Sequence, residues 1–135
     1  MERLLIYLTA IAGLSKDIHY QSKGENFYSI HLLMDRIYDG LYDFVDEVKE
    51  NYYMYLDMPV PDSYFVWEKS AELVFEKIKE YSLKETALIN LMKDCIYIAD
   101  EESKKNSYDC GDNDLFGRIS SKLKNGVALL SKVLE

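Results

Sequence analysis

Basic residues are in short supply in this chain. Sixteen Lys and Arg stand against twenty-four Asp and Glu, for a net charge of −8 and an isoelectric point near 4.8. Neutralising nucleic-acid phosphates takes clustered cations. Lys122, Lys124 and Lys132 are outnumbered by acids, and neither end carries a basic tail, so DNA binding is expected to be absent or weak. Cysteine is scarce too. Cys95 and Cys110 form no C-x-x-C pair and read as free thiols of a reducing cytoplasm. With two prolines, six glycines and no long polar tract, residues 1–135 read as a single domain without a linker. The longest apolar run, Leu4 to Leu14, is interrupted by Thr9 and Gly13 and is too short to cross a bilayer. Glu2 offsets Arg3 ahead of it, so it reads as a helix of the fold rather than a secretion signal. A glycine-rich phosphate loop, H-E-x-x-H and G-x-S-x-G are all missing, which leaves nucleotide and hydrolase chemistry without support.

Helical periodicity fills the rest. Leu4, Leu8, Ile11, Ser15 and Ile18 recur at three-and-four spacing, giving a first helix that runs to about Ser22 and stops near Gly24. A second helix is expected from about Asn26 into the mid-fifties, with Ile30, Leu33, Ile37, Leu41, Phe44 and Val48 inward. Pro59 and Pro61 end it. Asp62 and Ser63 then cap a short segment. Ser82 and Glu85 have the spacing of a capping box for a helix carrying Leu88, Leu91, Met92, Cys95 and Ile98. Asn106 to Asn113 reads as a loop before a last helix with Leu115, Ile119, Leu123, Val127 and Leu130. The expected fold is all-α: a four-helix bundle with a short crossing helix between helices two and three.

Five side chains have metal-ligand chemistry at regular spacing. His31 and Asp35 sit at i, i+4, as do Asp46 and Glu50. On one continuous helix, Asp35 and Asp46 point within about 20° of each other but lie ~16 Å apart. They therefore cannot meet in one chain. His31 and Glu50 are equidistant from a point between residues 40 and 41, and so are Asp35 and Asp46. Two antiparallel copies about a twofold at that point would pair His31 with Glu50, and Asp35 with Asp46, twice. His19, across a turn at Gly24, comes to a similar height as His31 and supplies a fifth group. Two imidazoles and three carboxylates suit Fe(II), Mn(II) or Zn(II).

Residues 19–50, HYQSKGENFYSIHLLMDRIYDGLYDFVDEVKE, resemble the core of the Dps family, the mini-ferritins. That family's pattern is H-W-x-x-x-G-x-x-F-x-x-x-H-x-x-x-D, followed by a carboxylate eleven residues on and another four beyond. His19, Gly24, Phe27, His31, Asp35, Asp46 and Glu50 match without a gap. The resemblance implies a ferritin-like bundle assembled from twofold dimers into a hollow dodecamer. It also implies ferroxidase activity: His19, His31, Asp35, Asp46 and Glu50 hold iron across the twofold, peroxide or oxygen oxidises it, and the shell stores the ferric mineral. The chain departs from the family in three places. Tyr20 stands where the family has Trp, the Lys-rich N-terminal extension is missing, and the last helix lacks an aromatic residue near Val127. The Glu-x-x-His signature of larger ferritins is absent.

Tyr38 and Tyr42 lie on the ligand face and are expected to pack across the dimer. Asp109, Asp112 and Asp114 fall where the family lines a threefold pore, while N-capping by Asp112 or Asn113 explains that cluster equally well. The rival to the ferroxidase is a non-enzymatic helical interaction protein that keeps the fold and binds iron poorly.

Overall fold

Ten of the twenty residues in the first helix are buried, far more than one apolar stripe needs, and the reason lies in what surrounds it. The computed structural model describes residues 1–135 and contains only helices. They are α1 (Glu2–Gln21), α2 (Phe27–Tyr38), α3 (Leu41–Glu47), α4 (Ser63–Tyr81), α5 (Lys84–Ser103) and α6 (Cys110–Leu134). A π-helical stretch, Val48–Met54, continues α3. Helix α1 packs on α2 and α5, and α6 packs on the same two, closing a ring of four helices. Helix α4 lies outside this ring against α1 and α5. It covers a second face of α1, where the Ser70 hydroxyl donates to the Ile6 carbonyl at 3.1 Å.

The expected stripes form the core. Leu4, Leu8, Ile11, Ser15 and Ile18 are buried, as are Ile30, Leu33, Ile37, Leu41 and Val48. So are Leu88, Leu91, Met92, Cys95 and Ile98 of α5, and Leu115, Ile119, Leu123 and Leu130 of α6. Phe44 and Val127 are only partly buried. Helix α6 comes close to α2 because position 126 has no side chain. A β-carbon on Gly126 would lie 3.0 Å from Met92 Sδ and 3.3 Å from Ile37 Cγ1.

Three expectations need correction. The second helix is not continuous from Asn26 to the mid-fifties. It stops at Tyr38, Asp39 turns extended (ψ 127°), and Gly40 takes φ +83° before α3 begins. Asp39–Gly40 is a turn-forming pair, and a left-handed Gly ends the ladder of i→i+4 bonds. Second, the segment after Pro61 is not short: α4 has 19 residues. Third, the capping box does not form. Ser82, at φ +63°, closes α4 by donating its N–H to Ile78, and Leu83 is the residue before α5. Glu85 is thereby one position too early to reach back.

Candidate metal centre

Gly24, at φ +94°, turns the chain between α1 and α2. The two helices leave it side by side, with His19 in the last turn of one and His31 in the second turn of the other. The imidazoles stack with centroids 3.7 Å apart and planes 17° from parallel. Phe27 lies nearly parallel to His31 at 4.9 Å, and Tyr20 meets His19 edge-on at 5.2 Å. Each ring is tied to the other's backbone: His19 Nδ1 donates to the His31 carbonyl at 2.8 Å, and His31 Nδ1 to the His19 carbonyl at 2.8 Å.

This reciprocity decides the tautomer. A carbonyl oxygen only accepts, so both Nδ1 atoms carry hydrogen. In the neutral rings Nε2 then holds the free lone pair. Metal-binding histidines are oriented in this way, with the second nitrogen donating to a carbonyl or carboxylate. On that ground the two imidazoles have the donor chemistry of metal ligands, and the half-buried rings are held in one orientation.

Asp35 stands one turn beyond His31 and is exposed. Its Oδ1 is 3.1 Å from Lys16 Nζ, on α1 one turn before His19. That hydrogen bond holds the Asp35 carboxyl below the ordinary carboxylate range, and the charge of Lys16 acts in the same direction. Lys16 also lies 4.5 Å above the Tyr38 ring. Lys16, Asp35, Arg36, Tyr38 and Asp39 line an open depression of 530 Å³ beside the histidines.

Asp46 and Glu50 lie apart, exposed on α3 and on its π-helical continuation. In one chain no three His, Cys, Asp or Glu side chains come close enough to hold a metal ion. The bend at Gly40 removes the straight helix on which the 20° alignment of Asp35 with Asp46 was counted. Glu50 itself stands in the π-helical stretch, where i→i+5 bonds such as Tyr55 N–H to Glu50 O at 3.1 Å replace the α-helical ladder. Tyr38 and Tyr42 meet edge-on at 5.9 Å within the chain. Lys16 escaped the sequence reading. Its signal was the i, i+3 spacing to His19, which turns both toward α2.

The acidic cluster at the start of α6 divides its work. Asp109, not Asp112 or Asn113, caps the helix by accepting the Asp112 N–H at 2.9 Å. Asp114 pairs with Arg118 at 2.8 Å, and Asp112 is buried. No helix is long and apolar enough to cross a membrane. No family model, curated protein or solved structure matches the chain.

Proposed function

We propose that this chain is a Dps-like mini-ferritin subunit that oxidises Fe(II) at a site shared between two copies. The observation that carries the reading is the His19–His31 pair, with both Nδ1 hydrogens committed to carbonyls and both Nε2 lone pairs free. Iron is the substrate. His19, His31 and Asp35 of one copy would bind it together with Asp46 and Glu50 of the other, in a cytoplasmic, dodecameric shell of the ferritin-like type. The ring of α1, α2, α5 and α6 is compatible with that bundle, with α4 in place of the family's shorter crossing helix.

The bend at Gly40 leaves the twofold pairing possible. A bend placed on a twofold axis is repeated by it, so α2 of one copy can still run antiparallel to α3 of the other when the bend lies in a plane containing the axis. Asp35, Asp46 and Glu50 are all exposed and so free to meet a second copy. An apolar groove of 620 Å³ between α1 and α4, lined in part by Tyr42, Trp67, Val74 and Phe75, adds surface that assembly would cover.

The chemistry is two one-electron oxidations. Two Fe(II) give two electrons to one peroxide, which takes up two protons and leaves as two waters. The protein's part is to bind both ions with neutral imidazoles and carboxylates and to hold those ligands still. Anaerobic Fe(II) titration followed by peroxide is the test. Saturable binding, then ferric absorbance that His19→Ala reduces, is the expected outcome. Full-rate oxidation by a folded monomer, or by the His19→Ala protein, overturns the reading.

A further inference from the structure

Two residue pairs carry the chemistry of self-modification, Asp39–Gly40 and Asn125–Gly126. In each, the side-chain carbonyl carbon can close a five-membered ring with the next backbone nitrogen, and glycine leaves that nitrogen uncrowded. The fold treats the two pairs differently. Gly126 lies inside α6, where its N–H belongs to the helical ladder and its α-carbon packs against Met92 and Ile37. Asp39 and Gly40 lie between α2 and α3, in neither helix. Their angles, φ −58°, ψ 127° and φ +83°, ψ −6°, are those of a type II β-turn. The Asp39 carbonyl accepts no backbone hydrogen bond, and the Gly40 N–H donates none. The Asp39 side chain is exposed, and the space beside the Gly40 α-carbon is open.

We propose that Asp39 is a site of spontaneous backbone modification, converting to isoaspartate through a cyclic imide formed with Gly40. The substrate is the chain itself, and water is the only co-reactant. The Gly40 nitrogen attacks Cγ of Asp39 in its protonated carboxyl form. An N–Cγ bond forms, a Cγ–O bond breaks, and water leaves carrying the nitrogen's proton. Water then opens the ring. Attack at Cγ restores aspartate. Attack at the Asp39 carbonyl carbon leaves the main chain running through Cγ, one methylene longer, with a free α-carboxylate in place of the side chain. The reaction needs the peptide plane between residues 39 and 40 to rotate until the nitrogen faces Cγ. Glycine at position 40 accepts either sense of that plane, and no backbone hydrogen bond resists the rotation. The added methylene falls at the bend that sets the direction of α3 relative to α2. Asn125 has the more reactive side chain, since a neutral amide is attacked more readily than a carboxylate, and α6 protects it. The inference does not depend on the metal-site reading.

The folded chain, kept for weeks in oxygen-18 water at neutral pH, tests this. Trypsin digestion afterwards in ordinary water gives residues 37–49 and 125–132 as separate peptides. The first should gain oxygen-18 and accept a methyl group from an isoaspartyl methyltransferase, while the second should keep its amide. A hydrogen bond that had to open first would slow the reaction by up to about tenfold. None has to, so Asp39 should isomerise within about tenfold of its rate in the guanidinium-unfolded chain. Folding should slow Asn125 by about a hundredfold or more, because its partner nitrogen is released only when α6 opens. Asp39→Glu keeps the charge but demands a six-membered ring. It should remove the signal from residues 37–49, which assigns that signal to Asp39 rather than to Asp43 or Asp46. Isoaspartate at Asp39 in the unfolded chain with none in the folded one overturns the proposal, because the turn then holds the peptide plane. A signal that survives Asp39→Glu overturns it too.

Discussion

Arg118 on α6 grips Glu47 on α3 with two parallel hydrogen bonds, Nη1 to Oε1 at 3.0 Å and Nη2 to Oε2 at 2.8 Å. Its Nε donates to Asp114 on its own helix at 2.8 Å. The guanidinium is thereby fully oriented, and the segment that carries Asp46 and Glu50 is tied to the bundle through the residue between them, Glu47.

Arg118→Met should therefore act twice. Stability should fall by about 1 kcal/mol, since the pair is partly exposed but bidentate. The loss should shrink in 1 M salt, where exposed charges are screened. Urea denaturation at low and high salt measures both. If the proposed site is correct, iron oxidation should slow as well, although no ligand has been changed.

The two cysteines should differ sharply in reactivity. Cys95 is fully buried on α5, and burial pushes its thiol up to about 12, whereas Cys110 is exposed at the start of α6. Since the thiolate is the reactive form, one thiol per chain should react with an aromatic disulfide reagent in native buffer, and two in denaturant. Fast reaction of both in the native state would mean that α5 opens readily.

The apolar stripes of α1, α2, α5 and α6 were legible because the face each turns into the ring is apolar at three-and-four spacing. Helix α4 was not, for a physical reason. Only Val66 and Ser70 are buried along it, while Phe65, Trp67 and Phe75 are exposed at different points around the helix. With apolar residues on both faces the 3.6-residue signal blurs, and a 19-residue helix reads as a short one. The bend at Gly40 was visible as Asp–Gly, but the stripe from Ile37 to Leu41 continues across it and hid the turn. The histidine pair was legible as two imidazoles across a tight turn. Lys16 was not, because a lysine beside a tyrosine-rich surface looks like any solvated charge.

Gly40 should tolerate nothing else well, and space has no part in it. No atom lies within 4 Å of where its β-carbon would be, so the cost is that of φ +83° alone. Gly40→Ala should lose roughly 1–2 kcal/mol, and Gly40→Asn less. Gly117 on α6 also has open space around it, with an ordinary helical φ. There the same change to Ala should stabilise by about 0.5–1 kcal/mol. Opposite signs in chemical denaturation are the expected outcome. Equal signs would mean that the chain straightens at residue 40.

Asp112 should make the protein more stable as the pH falls. It lies in the first turn of α6, 9% exposed, with Asp109 beside it accepting its own N–H. Burial, and then the charge of Asp109, raise its carboxyl above the ordinary 3.8. An acid with a higher pKa folded than unfolded binds its proton more tightly in the folded state. Its charged form therefore costs stability at neutral pH. That cost fades as the pH drops through the raised value and is gone below 3.8. Other groups move the opposite way, Asp35 among them, because Lys16 lowers it and its contribution is lost in acid. The difference between parent and Asp112→Asn isolates the one residue. The variant should melt at a higher temperature at pH 7, and the gap should close by about pH 3. A variant that melts lower at pH 7 would mean that attraction between the carboxylate and the N-terminal end of α6 outweighs its burial.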